Sequence, residues 1–141
     1  MIELKDFRNH IDKVPTVDWD TLFSIIPRIE SSESFGEWET FEKDADGVTQ
    51  FPFMNDSDLV LDFEDIMYKL KLVVVFDWGK WDEGKSIVEK GEYEKLDTIT
   101  LLMLLTTFIG ANRFNEGYLV SKFEDGAVLD VLRELRKNIV N

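Results

Sequence analysis

The chain has 141 residues, a hydrophobic content of 44%, no cysteine and a formal net charge of −13 at pH 7. The length suits one domain over residues 1–141, and the lack of cysteine excludes disulfides, thiolate zinc ligands and a cysteine nucleophile. The negative charge disfavours direct binding to nucleic acid or to an anionic membrane, because attraction to phosphate supplies most of such affinity.

Apolar residues at spacings of three and four predict helices in the first part of the chain. A first helix near residues 4–11 should end before Pro15. Asp18 is placed to cap a second helix. Pro27 should kink or end that helix near Ile26, because proline lacks the backbone N–H that a helix interior needs.

The segment near residues 37–53 predicts one small β-hairpin. A polar stretch with Asp46–Gly47 separates two runs of β-type residues, and Pro52 should mark the end or an edge of the hairpin. The residues that indicate the two strands are Trp38, Thr40, Val48 and Gln50.

Helical patterns dominate the middle of the chain. The segment "DSDLVLDFEDIMYKLKL" has one apolar face and predicts a helix. The following "VVVF" is either a short strand or the buried tail of that helix, since periodicity does not decide for so short a run. The segment "WGKWDEGKSIVEKG" predicts another helix that ends at Gly91, although Gly84 weakens its middle.

The last third of the chain predicts three more helices. Asp97 can cap a helix that is apolar on all sides, which is typical of a central, buried helix. Asn115 can cap the next helix, over 116–125, and Gly126 can end it. A final amphipathic helix follows. The predicted fold class is therefore mainly α (α+β), a single compact helical domain with one small hairpin.

The negative charge is concentrated in one segment. Between residues 30 and 65 there are twelve acidic residues and one basic residue, Lys43, so this segment carries 1 − 12 = −11. Such a surface attracts a basic protein partner, although solubility alone is the simpler explanation and mimicry of DNA is a further alternative. The candidate partner-binding residues are Glu37, Glu39, Glu42, Asp44 and Asp46.

Metal sites and cofactors are not indicated. "EKDADG" resembles the start of a calcium loop, but the twelfth position, where a glutamate should bind the ion, is Phe53. A tight turn is the favoured interpretation. His10 is the only histidine and is interpreted as a solvated surface residue. No nucleotide-binding or hydrolase motif is present, so we expect no cofactor and no metal, and we favour a non-catalytic protein over an enzyme.

The polar stretch "NRFNEG" after the apolar helix allows two interpretations. Arg113 and Glu116 can tie two helices together, with Arg113 on the last carbonyls of the buried helix and Glu116 in the first turn of the next. Alternatively, Asn112, Arg113 and Glu116 line a polar pocket that binds an anionic or polar ligand. The tryptophans Trp78 and Trp81 then belong to that pocket, although aromatic residues at such spacing more often lie in a core. We favour the structural interpretation.

The order of "FGEW", "GVTQFPF", "FDWGKW" and "LLMLLTTFIGANRFNEGYLVSKFEDGAVLDVLREL" resembles a bacterial family called domain of unknown function 6508. The resemblance covers about residues 19–135. It implies a fold and a cytoplasmic setting but no mechanism. Its most specific part is the block Arg113, Phe114, Glu116, Gly117, Phe123 and Gly126.

The sequence therefore predicts a small cytoplasmic protein that docks a basic partner through the acidic segment 30–65. The alternatives are a small-molecule binder or enzyme with a polar pocket, and a DNA mimic. The N-terminal residues show no signal-peptide pattern, and the longest uncharged apolar run, 99–111, is shorter than the ~20 residues of a membrane span.

Overall fold

The computed structural model describes residues 2–43, 45–48 and 51–140. It has the mainly helical α+β fold that the sequence predicts. The α-helices, numbered in chain order, are α1 (Leu4–Ile11), α2 (Thr16–Phe23), α3 (Ile25–Ser31), α4 (Asp58–Lys69), α5 (Asp82–Lys90), α6 (Thr98–Asn112), α7 (Tyr118–Glu124) and α8 (Ala127–Val140). The strands are β1 (Ile2–Glu3), β2 (Gly36–Glu39), β3 (Phe53–Asp56) and β4 (Val74–Val75). None of the helices in the described part of the chain is both long and apolar enough to cross a membrane.

Helix α6 is the central helix, as predicted. Its first turn is capped by Asp97, whose carboxylate accepts a hydrogen bond of 2.8 Å from the Thr100 N–H. Helices α7 and α8 pack against α6, and its apolar side chains join one cluster of buried hydrophobic residues. Each fully buried Leu or Phe of this kind stabilises the fold by about 1.5–3 kcal/mol relative to exposure. The fully buried residues of α6 include Leu101, Leu102, Leu104, Leu105 and Phe108.

The break between α2 and α3 lies before Pro27, at Ser24. In a continuous helix the residue at position 27 would donate a hydrogen bond to the Phe23 carbonyl, and proline has no N–H to do so. The prediction that Asp18 caps α2 is wrong. Pro15 precedes the helix, and Asp18 lies in its first turn, where a negative charge interacts favourably with the helix dipole.

The "VVVF" segment forms a strand rather than the tail of α4. β4 pairs in parallel with β1, with Ile2 opposite Val74 and Glu3 opposite Val75. The Val74 N–H also donates a hydrogen bond of 3.2 Å to the hydroxyl of Thr106 on α6. Thr106 is buried, so this bond satisfies a polar group that would otherwise be costly in the core.

The predicted hairpin exists, but its second strand lies later in the chain than predicted. β2 pairs antiparallel with β3, which begins directly after Pro52, whereas the sequence placed that strand at Val48 and Gln50. Proline donates no ladder hydrogen bond, so pairing starts at the next residue. Val48 lies in the connection between the strands, and Gln50 lies outside the described residues. Gly47 has a positive φ of 79°, as a turn there requires.

The segment before α5 also differs from the prediction of one helix. Trp78–Lys80 forms a separate 3-10 turn, and α5 starts at Asp82. Gly91 ends α5 with a left-handed φ of 65°, as predicted. Gly126 follows the end of α7 with a φ of 87°, so the predicted stop there is also confirmed.

Candidate functional site

The junction between α6 and α7 holds the polar residues that first suggested a site. α6 ends at Asn112, and Gly117 precedes α7 with a left-handed φ of 84°. The side-chain oxygen of Asn112 accepts a hydrogen bond of 3.0 Å from the Leu119 N–H in the first turn of α7. Asn112 therefore satisfies a backbone N–H group in the first turn of α7. The prediction that Asn115 caps a helix starting at residue 116 is wrong.

Arg113 and Glu116 each hold this junction to a different element. A guanidinium nitrogen of Arg113 donates a hydrogen bond of 2.6 Å to the hydroxyl of Tyr68 on α4. Glu116 Oε1 accepts a hydrogen bond of 2.8 Å from the Met54 N–H on β3. The expected contact of Arg113 with the last carbonyls of α6 is not what the structure shows. The two residues link the junction to α4 and to the hairpin rather than to each other.

Three carboxylates lie near this junction and affect one another. Burial, and then repulsion from Glu116, raises the pKa of Asp56 above its ordinary value. Burial also raises the pKa of Glu64, and the charge of Asp56 raises it further, while Arg113 lowers it. Arg113 thus partly offsets an excess of negative charge between α4, β3 and the junction.

Trp78 and Trp81 lie against glycines in helices. A Cβ atom built on Gly110 of α6 would lie 2.7 Å from Trp78 Cε2, and one built on Gly84 of α5 would overlap the ring of Trp81. Trp81 also packs edge-on against Phe76, with ring centroids 5.5 Å apart. These contacts explain why α5 contains a glycine that otherwise weakens a helix, because only glycine leaves space for the indole ring.

A cavity of about 340 Å³ lies between α5 and the C-terminal part of α6. Both tryptophans line it, whereas Asn112, Arg113 and Glu116 do not. The residues around this cavity, called the tryptophan cavity below, are Trp78, Gly79, Trp81, Gly84, Lys85, Val88, Glu89, Thr107, Ala111, Asn115 and Tyr118.

A second cavity, of about 150 Å³, is lined by Trp78 and Arg113 together with residues of β4 and α6. The structure therefore does not bring the five residues predicted for a ligand pocket into one cavity. A ligand-binding role for Asn112, Arg113 and Glu116 stays a prediction.

The hairpin has two different faces, which follow from its register. Trp38 is paired with Met54, and both side chains lie against Gly117 at the α6–α7 junction. Glu39 is paired with Phe53, and successive residues of a strand point to opposite faces. The other face is exposed and is called the outer hairpin face below. Its residues are Glu37, Glu39, Phe53 and Asn55.

Ion pairs divide the acidic segment into a part that contains paired acids and a part whose acids form no ion pair within the described residues. Three acids on the flanking helices are paired: Glu30 with Arg133 at 2.7 Å, Asp62 with Arg28 at 2.9 Å, and Asp65 with Lys69 at 2.8 Å. The hairpin acids Glu37, Glu39 and Glu42 form no ion pair with any residue that the structure describes. Asp44, also predicted to contact a partner, lies outside the described residues, while Asp46 lies in the exposed connection.

Large aromatic side chains are exposed beside these acids. Phe51 is 93% exposed, Trp38 is 52% exposed and Phe53 is 43% exposed. The ring of Phe53 also packs against Phe41, with centroids 5.8 Å apart. The outer hairpin face thus places the exposed Phe53 ring beside Glu37 and Glu39, while the exposed part of Trp38 lies on the inner side, next to Gly117.

His10 is less exposed than the sequence predicts. Its side chain is half-buried beside Phe7, and its Nε2 atom is buried without a hydrogen-bond partner among the residues described. The interpretation as a fully solvated surface histidine is therefore wrong. Over the described ranges, no group of three or more His, Asp or Glu side chains is arranged to hold a metal ion.

The fold and these surfaces define a mainly helical α+β protein with a small, exposed acidic hairpin. Residues 14–141 match the model of a family of unknown function, DUF6508. The match covers nearly the whole chain, so the chain belongs to this family, as its signature block indicated. Comparisons with curated proteins and with solved structures gave no match.

Sequence reasoning missed most of the long-range partners at these sites. Tyr68 and Met54, which bind Arg113 and Glu116, lie 45 and 62 residues away in the chain, and no local pattern indicates them. A signal for the tryptophan cavity was present in the sequence. Glycines inside predicted helices often mark a close approach of another group, and Gly84 and Gly110 do so here.

Proposed function

We propose that this protein is a non-catalytic interaction protein that docks a basic protein surface on its outer hairpin face. The observation that supports the proposal is the coexistence, on this face and its edge, of the exposed Phe53 ring and carboxylates that form no ion pair within the described residues. The first proposed docking residues are Glu37 and Glu39, with Glu42 and Phe53 beside them.

The chemistry of this face fits lysine and arginine side chains of a partner. Ionised carboxylates accept short, charge-assisted hydrogen bonds from these groups. An aromatic face such as that of Phe53 attracts the same cations and covers their apolar stems. The net charge of −13 increases the rate of encounter with a basic surface at low salt.

The position of the hairpin also supports this role. Glu116 accepts the Met54 N–H, and Trp38 packs on Gly117, so the inner face is held to the α6–α7 junction. The outer face is consequently presented on a fixed support. A binding surface that is ordered beforehand loses less conformational entropy when it meets its partner.

A comparison of two variants with equal net charge separates a specific surface from general attraction. Each variant replaces three exposed glutamates and removes three negative charges. The hairpin variant carries Glu37→Gln, Glu39→Gln and Glu42→Gln. The remote variant carries Glu83→Gln, Glu92→Gln and Glu124→Gln.

Binding is measured by fluorescence anisotropy with a labelled peptide of alternating lysine and tryptophan residues, at about 0.05 M and about 0.3 M NaCl. We expect the hairpin variant to bind about tenfold more weakly, since three exposed charge pairs at about 0.5 kcal/mol each sum to a tenfold change. The remote variant should lose less than about twofold. Equal losses in the two variants would mean that only net charge matters, which contradicts the proposal.

The same two variants then serve as baits in a pull-down from the native organism at low and raised salt. A basic protein retained by the wild type and by the remote variant, and lost with the hairpin variant, is the expected result. Retention by all three baits would place the contact elsewhere on the molecule.

A further inference from the structure

The tryptophan cavity has the size and lining of a small-ligand site that is separate from the hairpin. Ligand sites in proteins are mostly apolar clefts of about 300–1,000 Å³ with few polar groups. This cavity measures about 340 Å³. A cavity of about 150 Å³ holds benzene in another protein, so this one has space for two fused rings and a short polar substituent.

The aromatic walls of the cavity are fixed in place. Trp78 packs on Gly110 and Trp81 packs on Gly84, in both cases too closely for any side chain at the glycine. Trp81 is held further by its edge-on contact with Phe76. Rigid indole faces bind a planar ligand with little loss of side-chain entropy, and they also attract a cation.

Two polar groups at the cavity, Thr107 and Glu89, offer hydrogen-bond acceptors to a ligand, and the side-chain amide of Asn115 offers donors as well as an acceptor. The Thr107 hydroxyl already donates a hydrogen bond of 2.8 Å to the Met103 carbonyl, so toward a ligand it only accepts. Glu89 forms no ion pair with a residue of the described chain.

The one cation of the lining, Lys85, is engaged within the protein. Its ammonium group donates to the Gly79 carbonyl at 3.0 Å and lies 3.9 Å from the Asp82 carboxylate. Glu89 is therefore the charged group of the lining that stays available to a ligand, and its carboxylate favours a ligand with a positive charge and N–H donors.

We infer that the tryptophan cavity binds a small planar aromatic ligand that carries an ammonium group, with the rings between Trp78 and Trp81 and the charge near Glu89. This inference does not depend on the proposed docking of a protein partner, because the two sites share no residue. Asn115, exposed at the same junction, is placed to contact the substituent of the ligand.

Three indole compounds of similar size test the shape and the charge separately. Tryptamine is cationic, indole is neutral, and indole-3-acetate is anionic. Binding is followed by the backbone amide and indole N–H signals in ¹H–¹⁵N NMR spectra. We expect saturable shifts for tryptamine at residues around the cavity, with affinity falling from tryptamine to indole to indole-3-acetate.

Two cavity variants and one control complete the test. Glu89→Gln removes the charge with little change of volume and should weaken tryptamine binding about threefold, as expected for an exposed pair, while leaving indole binding unchanged. Glu83→Gln, on the same helix but outside the cavity, should change neither. Ala111→Leu fills part of the cavity, keeps a good helix former in α6, and should abolish the shifts in a spectrum that is otherwise well dispersed.

Several results would overturn the inference. The first is a lack of saturable shifts with tryptamine up to about 10 mM. Such a result would mean that any binding is weaker than at natural ligand sites. The second is shifts centred away from α5 and α6. A third is binding of indole-3-acetate as tight as that of tryptamine, which would contradict a preference for a positively charged ligand. Unchanged tryptamine binding in Ala111→Leu would remove the site itself.

Discussion

Helix α6 and the hairpin place their large apolar side chains in opposite ways. In α6 the apolar residues are buried, and Phe108 has no exposed surface. In the hairpin region Trp38, Phe51 and Phe53 are exposed while acids lie beside them. The composition of α6 follows from the need to form a core. The composition of the hairpin does not, and under the proposed function its outer face contacts a partner instead.

The largest effect expected is the loss of a core ring. Phe108→Ala should destabilise the protein by about 3–5 kcal/mol and lower its Tm by about 10–15 °C, because it leaves a cavity in the centre of the fold. Phe51→Ala removes the same atoms from an exposed site and should change Tm by less than about 2 °C. Thermal unfolding followed by circular dichroism measures both. Equal losses would contradict the contrast between the two regions.

Gly110→Ala tests whether the tryptophans set the identity of the helix glycines. In an open helix this change adds about 1 kcal/mol of stability, but here the new methyl group meets the ring of Trp78. We expect a net loss of about 1–2 kcal/mol, or about 3–6 °C in Tm, because overpacking outweighs the helix propensity. Gly79→Ala is the control, since a Cβ atom there makes only an ordinary contact at 3.8 Å. A Tm increase in Gly110→Ala would show that Trp78 moves aside freely.

Substitutions at Glu116 test how the hairpin is held to the junction. Glu116→Ala leaves the Met54 N–H without its partner and should cost about 1 kcal/mol, or about 3–4 °C in Tm. Glu116→Gln keeps an oxygen acceptor and removes the charge that raises the pKa of Asp56, so its Tm should match or exceed that of the wild type. If Glu116→Gln lowers Tm as much as Glu116→Ala does, the stabilisation comes from the charge of Glu116 and not from the hydrogen bond.

The smallest effect expected is at Asp56, and it depends on pH. Its pKa is raised in the folded protein, so the folded state binds the proton more tightly than the unfolded state does. Its charged form therefore destabilises the protein at neutral pH, and this penalty disappears as the pH falls through the raised pKa. Asp56→Asn should raise Tm by about 1–2 °C at pH 7 and by less near pH 4, where wild-type Asp56 is becoming protonated. A gain that grows as pH falls would contradict this sign.

The sequence predicted features that depend on neighbouring residues. The Asp97 cap was predictable because its partner Thr100 is three residues away, and Gly91 and Gly126 were predictable because a helix end needs a left-handed residue. The buried position of α6 followed from its apolar residues on all sides. These signals are local, so they are readable without knowledge of the fold.

Features that depend on distant contacts were not predictable. The side chain of Asn112 accepts a hydrogen bond from the Leu119 N–H, seven residues later and across a non-helical turn. The usual capping pattern spans only two or three residues, so the sequence pointed to Asn115 instead. Arg113 binds Tyr68 because α4 packs beside the junction, which no spacing in the sequence indicates. The tryptophan cavity likewise excludes Arg113 and Glu116 although both are close in sequence to Ala111 and Asn115, which line it.

Site-specific photo-crosslinking tests whether the outer hairpin face contacts a basic protein. A benzophenone side chain replaces Phe51 in one sample and Val17, which is 66% exposed on α2, in another. After irradiation in an extract of the native organism at low salt, we expect a discrete adduct with a basic protein from position 51 alone. The adduct should be lost when Glu37→Gln, Glu39→Gln and Glu42→Gln are combined with the probe. Equal labelling from position 17, or an adduct that survives the three substitutions, would contradict the claim.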